Sequence, residues 1–230
     1  MGEYKDLFGE DVKEKKEKPI TYVGFVWDHS GSMWSCEKLA MDNFNEQLAT
    51  LKKDSDKVDY ITTIIEFDDK IKEVVVNESI NMVGKLKDYW TDGLTALYDA
   101  IGRCVSKIDV AMNEDEREDK AALIIVMTDG QENASSDYNN ESIKALIKKM
   151  DAKDNWSFVF MGAGIDERQA KDMGFGVGNT VSFSKTVFSS QSTSQSASLS
   201  NYSNMRARGV TKTTSFYDED KKEEEDKEDE

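Results

Sequence analysis

Carboxyl and hydroxyl side chains follow two hydrophobic segments of the sequence, at the point where each segment ends. In the stretch FVWDHSGSMW, Asp28, Ser30 and Ser32 alternate directly after a near-continuous hydrophobic run. The run AALIIVMTD ends in Asp129, and Thr95 stands where a loop passes into a predicted helix. If the two runs are neighbouring strands of an open α/β sheet, their carboxyl ends open into one crevice. We therefore expect these side chains to converge.

This group of side chains offers oxygen ligands only, without sulfur or imidazole. Such ligands suit a hard divalent cation, Mg²⁺ or alternatively Mn²⁺ or Ca²⁺, rather than zinc or copper. Two carboxylates at short range repel each other unless positive charge lies between them, so a cation would stabilise Asp28 beside Asp129. Because the charged ligands are few, the cation would keep affinity for one more oxyanion supplied from outside the chain.

Three enzymatic patterns fit the sequence less well. His29 is the only histidine, but Asp28 and Ser30 adjoin it in the chain and would point elsewhere than a Ser-His-Asp triad requires, and the GxSxG pattern is absent. Haloacid-dehalogenase-type phosphatases require an aspartate two residues after the first, where this chain has Ser30. No GxGxxG dinucleotide pattern follows the first strand. We therefore predict a binding site and not an enzyme.

Four residues beside the predicted ligands are candidates for the rim of the site or for contact with a partner. They are His29, Trp34, Asp92 and Glu132. An exposed Trp34 would give a partner an aromatic anchor. The plainer alternatives are a neutral surface histidine for His29 and, for Glu132 and its neighbour Asn133, a position behind the ligands that supports them.

The hydrophobic pattern predicts strands that alternate with helices. Predicted strands are ITYVGFVWD, VDYITTIIEF, IKEVVV, AALIIVMTD, WSFVFMGAG and NTVSFSK, and predicted helices begin at Cys36 and cover TALYDAIGRCVSKIDVAM, SIKALIKKMDAK and DERQAKDMGF. The short turn at Asp68–Lys70 predicts a hairpin and hence one antiparallel pair. The fold class is α/β: a doubly wound, three-layer, Rossmann-like fold with a mostly parallel central sheet, one antiparallel edge strand and helices on both faces.

Composition divides the chain into three parts. Residues 1–18 are charged and predicted to be flexible, residues 19–209 form one domain, and residues 210–230 are predicted to be an acidic disordered tail. The serine-rich segment 184–204 is a linker or the last helix of the domain, and apolar residues at helical spacing favour the helix.

Charge and cysteine content limit the environment and the partners. The net charge of −16 argues against binding to nucleic acid or to an anionic membrane surface. No apolar stretch approaches the ~20 residues of a membrane span, and the first residues do not form a signal peptide. Cys36 and Cys104 could form one disulfide, but two buried free thiols in a reducing compartment fit better. We predict a cytoplasmic protein.

The order of these motifs resembles the von Willebrand factor type A family. The metal-ion-dependent adhesion site of that family resembles three segments of this chain: a strand followed by DHSGSM, then GLTALYDAI, then a strand followed by TDG. The resemblance to the family covers roughly residues 19–185. The resemblance implies that Ser30, Ser32 and Thr95 bind a cation directly, that Asp28 and Asp129 bind it directly or through water, and that an Asp or Glu of a partner protein completes the shell. Within the family, the chain resembles stand-alone bacterial or phage intracellular members.

Three functional hypotheses follow. The first is a divalent-metal-dependent protein-binding module for adhesion or scaffolding, whose partner offers an acidic residue to the cation. The second is a metal-dependent hydrolase or phosphatase that uses the same cation to activate water or a phosphoryl group. The third is an assembly subunit with a non-functional metal site. The sequence makes no prediction of oligomeric state.

Overall fold

The computed structural model of the chain describes residues 17–164, 167–183 and 188–217, with the backbone alone for 183 and 188–194. Its strands and helices, in chain order, are β1 Ile20–Asp28, α1 Glu37–Lys53, β2 Asp59–Phe67, β3 Ile71–Ser79, α2 Leu97–Glu114, β4 Lys120–Thr128, α3 Asn140–Asp151, β5 Trp156–Ala163, α4 Glu167–Asp172, β6 Thr180–Phe183 and α5 Phe188–Ala207. Short 3₁₀ turns lie between several of them. The helix predicted to begin at Cys36 begins one residue later, because a 3₁₀ turn occupies Gly31–Cys36.

Six strands form one sheet in the order β3-β2-β1-β4-β5-β6. All neighbouring strands are parallel except β2 and β3, which form the antiparallel hairpin at one edge. This arrangement confirms the predicted α/β fold class. The central strands β1, β4 and β5 are buried along almost their whole length, as expected for strands covered on both faces.

Two hydrophobic cores lie on the opposite faces of the sheet. On β1, Phe25 and Trp27 pack into the core that α1 and α5 cover, whereas Tyr22 and Val26 pack into the core that α2 and α3 cover. The alternation follows from the two-residue period of a strand. Because every side chain of β1 is enclosed, the end of this strand is held rigidly in the middle of the sheet.

The serine-rich segment is helical over Phe188–Ala207, and residues 184–187 lie outside the described residues. Among its apolar residues, Leu199 and Tyr202 are buried against the sheet. Hydroxyl contacts supplement this small apolar face, because Ser203 and Tyr60 share a hydrogen bond of 2.7 Å and Ser200 donates to Asp54 at 3.0 Å.

Near its end, α5 is anchored by a fully buried arginine. The Arg206 guanidinium donates to the hydroxyl of Thr21, to the carbonyl of Ile20 and to the carboxylate of Asp119, at 3.0, 3.0 and 2.9 Å. A further bond of 3.1 Å reaches the carbonyl of Val210. One side chain therefore connects the helix to the beginnings of β1 and β4.

The packed part of the chain extends past residue 209, although the sequence predicted a disordered tail from residue 210. Thr213, Phe216 and Tyr217 are buried, and Tyr217 donates its backbone N–H to the carbonyl of Gly178. The two aromatic rings enlarge the core beneath α5, so residues 210–217 belong to the packed domain. Residues 1–16 and 218–230 lie outside the described residues, and their predicted flexibility stays a prediction.

Both cysteines are buried and free, so the disulfide alternative is not realised. None of the helices in the described part of the chain has the length and hydrophobicity needed to cross a membrane.

Candidate metal centre

The ends of β1 and β4 lie side by side at the carboxyl edge of the sheet. Trp27 pairs with Met127 in the parallel register, so Asp28 on β1 lies beside the Thr128–Asp129 segment that ends β4. The register of two buried parallel strands therefore brings together two parts of the site that are one hundred residues apart in sequence. This is the crevice at the strand ends where open α/β sheets bind ligands.

Asp28 lies at the bottom of the site and has no solvent exposure. One carboxylate oxygen accepts the backbone N–H of Ser30 at 2.7 Å, and the other accepts the hydroxyl of Thr128. Burial raises the pKa of Asp28 to about 6, and these two hydrogen bonds and others to the carboxylate only partly offset that rise. An ionised Asp28 is thus held in a place where positive charge would stabilise it.

Three hydroxyl oxygens gather around one glycine. A methyl group built on Gly130 would lie 3.0 Å from Oγ1 of Thr95, 3.1 Å from Oγ of Ser32 and 3.5 Å from Oγ of Ser30. The Ser30 and Ser32 oxygens are 3.2 Å apart, and the Ser32 hydroxyl donates to Asp129 at 2.5 Å. All five predicted ligands therefore belong to one cluster. Because Gly130 has no side chain, the space between the hydroxyl oxygens stays open.

One side of the cluster is buried in the protein, and another side is open to solvent. Asp28, Ser30 and Thr95 are buried, whereas Asp129 is half-buried and Ser32 is exposed. A molecule arriving from solvent would therefore meet the Ser32 and Asp129 oxygens first.

The donor chemistry of the cluster fits a hard divalent cation. It supplies three neutral hydroxyl oxygens and two carboxylates, the ligand types that Mg²⁺, Mn²⁺ and Ca²⁺ prefer. Nowhere in the described residues do three or more His, Cys, Asp or Glu side chains cluster as they would around zinc. Asp28, Ser30, Ser32, Thr95 and Asp129 are the residues that would hold the cation.

Asn133 positions the threonine ligand, the supporting role that its place beside Glu132 left open. Its side-chain oxygen accepts the backbone N–H of Thr95 at 2.8 Å, and its own N–H donates to the Thr95 carbonyl at 3.0 Å. This two-point contact joins the loop after β4 to the start of α2. Its only signal in the sequence is its location four residues after Asp129.

The candidate rim residues divide into exposed and internally bonded groups. Trp34 is 72% exposed and Asp92 is exposed, so both face solvent near the cluster. Glu132 bonds within the chain: one oxygen accepts the backbone N–H groups of Ala134 and Ser135, and the other accepts the N–H of Tyr98. Glu132 thus organises the loop and the first turn of α2, the supporting role that the sequence offered as an alternative.

His29 is buried and faces away from the hydroxyl cluster. Its Nδ1 lies 2.8 Å from the carbonyl oxygen of Trp90, and its ring packs on Tyr89 with the ring centres 4.2 Å apart. Burial lowers the pKa of His29, although the nearby Glu66 carboxylate acts in the opposite direction. The ring is therefore not part of a Ser-His-Asp arrangement, and it is not the surface residue that the sequence offered as the plainer alternative.

Comparisons with known proteins identify the fold through structure alone. No family model matches the sequence, and no curated protein matches it. Among solved structures, a von Willebrand factor type A protein from Catenulispora acidiphila matches with a TM-score of 0.54 at 12% identity, over 80% of this chain and 43% of the other. The manganese-loaded TRAP protein of Plasmodium vivax matches with a TM-score of 0.53 at 16% identity, over 74% of this chain and 70% of the other.

A third match is proximal thread matrix protein 1 from the mussel byssus, with a TM-score of 0.51 at 15% identity, over 80% of this chain and 46% of the other. The chain spans less than half the length of the mussel and Catenulispora proteins. The sheet order, the single antiparallel edge and these matches agree: the chain has the fold of a von Willebrand factor type A domain.

Proposed function

We propose that the chain is a non-enzymatic binding module in which a divalent cation at the metal centre is completed by an acidic residue of a partner protein. The observation that carries this proposal is the convergence of three hydroxyl oxygens and two carboxylates around Gly130, at an edge that is open on the side of Ser32 and Asp129. The open side leaves room for a ligand from another molecule.

The choice of ligands explains why a partner carboxylate would bind. Only Asp28 and Asp129 bring negative charge, so a divalent cation is at most neutralised by the chain and remains a strong acceptor for another oxygen ligand. We propose Mg²⁺ as the ion, with Mn²⁺ and Ca²⁺ as alternatives. The manganese in the TRAP structure supports a divalent ion in this fold without selecting one.

The net charge of the chain makes the cation necessary for an acidic partner. A protein of net charge −16 repels acidic surfaces at long range. A carboxylate could approach only where local positive charge offsets that repulsion, and the bound cation would provide it. Cation-dependent binding should therefore become stronger as added salt screens the long-range repulsion.

Cation binding is the first test. Titration of Mn²⁺ or Mg²⁺ by calorimetry should give saturable binding to the wild-type protein, and Ser30→Ala should weaken it at least tenfold. Ser35→Ala, which changes an exposed serine of the same 3₁₀ turn, is the matched control and should leave binding unchanged. Equal cation affinity in all three proteins would contradict the assignment of the ligands.

Completion of the shell by a carboxylate is the second test. Acetate added to the Mn²⁺-loaded protein should displace bound water and lower the water-proton relaxation enhancement, whereas acetamide should have no effect. Capture of an acidic partner should also disappear in EDTA. Phosphatase or esterase turnover that requires the cation and is lost in Asp28→Asn would instead support the hydrolase alternative.

A further inference from the structure

A cavity lies beside the metal centre, between the end of β1, the β2–β3 hairpin and the loop before α2. We name it the His29 pocket; its volume is about 310 Å³. Its walls include His29, Phe67, Ile71 and Trp90, together with two acidic side chains and two lysines. This size is at the lower end of the range for ligand pockets, roughly 300–1,000 Å³, and suits one large side chain.

The pocket and the metal centre share one stretch of backbone. His29 lies between Asp28 and Ser30, so its side chain lines the pocket while its two neighbours belong to the metal centre. The backbone around it is fixed, because the His29 N–H donates to the Phe67 carbonyl at 2.7 Å and its carbonyl accepts the Asp92 N–H at 3.0 Å. A molecule bound to the cation is therefore within reach of the pocket.

The pocket contains a buried nitrogen for which the described part of the chain supplies no hydrogen-bond partner. The Trp90 carbonyl can only accept, so Nδ1 of His29 carries the proton of that bond. Nε2 is buried and has no hydrogen-bond partner among the residues that the structure describes; a carboxylate oxygen of Glu66 lies 3.7 Å away. The other Glu66 oxygen accepts from Lys72 at 2.7 Å. Buried polar atoms are nearly always paired, so Nε2 favours an occupant that donates an O–H.

The remaining walls favour an aromatic ring on an acidic segment. Trp90 is 51% exposed and offers a ring face at the mouth of the pocket. Of the charged residues that line the pocket, Lys70 and Lys72 balance Asp68 and the buried Glu66, so the lining carries no net charge on a strongly acidic protein. An acidic segment that is repelled by other parts of the surface can therefore approach here.

We propose that the His29 pocket receives a tyrosine side chain of the partner, next to the carboxylate that completes the cation shell. The ring packs on Phe67, Ile71 and Trp90, and the phenol hydroxyl donates to Nε2 of His29, which combines the apolar body and polar tip of tyrosine. This inference rests on the proposed function, because the carboxylate places the ring.

Three short peptides with blocked ends test the inference on the full chain loaded with Mn²⁺. Each carries one glutamate as its only carboxylate, followed by tyrosine, phenylalanine or alanine. Loss of the hydroxyl should weaken binding about fivefold, and loss of the ring should weaken it by a further factor of about ten or more. Dissociation constants can be measured by calorimetry.

A pocket-filling variant separates the pocket from the cation. Ile71→Trp should abolish the preference for tyrosine over alanine and leave Mn²⁺ affinity unchanged. Val74→Trp, at a 41% exposed position of the same strand, is the matched control and should keep the preference.

The outcomes distinguish the two proposals. Equal affinity for the three peptides, with binding still dependent on Mn²⁺, would overturn the pocket and leave the proposed function standing. Binding of Mn²⁺ without binding of any peptide would overturn both. A tyrosine preference that persists unchanged in EDTA would show that the pocket acts apart from the cation and would overturn the inference as stated.

Discussion

Replacing Asp28 with asparagine should stabilise the cation-free protein while abolishing its response to a cation. The Asp28 carboxylate is fully buried, and burial raises its pKa from an ordinary value of 3.8 to about 6. Asparagine has nearly the same shape: its carbonyl can accept the Ser30 N–H, and its amide can donate to the Thr128 hydroxyl. That hydroxyl can in turn direct its proton to the Gly130 carbonyl, 3.3 Å away.

The magnitude follows from the pKa shift. A rise from 3.8 to about 6 corresponds to about 3 kcal/mol, at 1.36 kcal/mol per unit. Because the folded state binds the proton of Asp28 more tightly than the unfolded state, this contribution to stability is complete below pH 3.8 and is lost as the pH rises through 6. At pH 7.5 without cation, the ionised group therefore lowers the free energy of unfolding by about 3 kcal/mol, and Asp28→Asn removes that penalty.

Urea unfolding of both proteins in EDTA, from pH 4 to pH 8, measures the effect. The variant should be more stable by about 2–3 kcal/mol at pH 7.5, with the difference shrinking steadily toward pH 4. Excess Mn²⁺ should stabilise the wild type, by about 3 kcal/mol at a hundredfold excess over its dissociation constant, and should leave the variant unchanged. Asp129→Asn is the matched control: it should lose the cation response without stabilisation in EDTA, because Asp129 is only half-buried.

Two results would refute this reasoning. A variant no more stable than the wild type in EDTA at pH 7.5 would show that the buried carboxylate carries no penalty. Equal stabilisation of both proteins by Mn²⁺ would show that Asp28 does not belong to the metal centre.

Three further predictions concern the residues that shape the site and the fold. Gly130→Ala should weaken Mn²⁺ binding about tenfold, because the methyl group enters the space between the hydroxyl ligands, whereas Gly176→Ala, in open surroundings, should not. Asn133→Ala should weaken Mn²⁺ binding by leaving a buried N–H unpaired, and Asn133→Asp, which keeps the acceptor oxygen, should restore it. Arg206→Ala should lower the free energy of unfolding by about 2–4 kcal/mol in urea titrations, and the exposed Arg208→Ala should change it by less than about 0.5 kcal/mol.

The fold class could be predicted because its sequence signals are local. Nearly continuous hydrophobic runs indicated strands covered on both faces, and the helices between them implied parallel crossovers. The short turn at Asp68–Lys70 indicated the hairpin, and the structure has its antiparallel pair at that place. Periodicity and loop length carry this information without any knowledge of contacts.

The positions of the candidate ligands could be predicted for a related reason. Asp28 and Asp129 end hydrophobic runs, and parallel neighbouring strands place their carboxyl ends at one edge. The hydrogen bonds that hold these ligands in place could not be predicted. Thr128 looks like an ordinary polar residue in the sequence, and the location of Asn133 suggests only that it lies near the site. Their bonds to Asp28 and Thr95 depend on how separate loops meet.

The end of the domain was misplaced because composition suggested a tail. The last residues are polar and acidic, yet Phe216 and Tyr217 fill a space beneath α5 that exists only once that helix has docked. Helix α5 itself has little apolar surface, and hydroxyl bonds such as that between Ser203 and Tyr60 supplement it. Hydrophobic patterning cannot detect an interface of that kind.

By itself, the sequence determined the layered α/β architecture and the oxygen groups that lie at the strand ends, because hydrophobic periodicity and strand direction are local properties of the sequence. Only the tertiary structure decided the environment of each group. It buried Asp28, cleared space at Gly130, turned Glu132 inward and left His29 beside an open pocket. The physical reason is that burial and hydrogen-bond pairing depend on groups far apart in sequence, which come together only when the sheet and its loops are assembled.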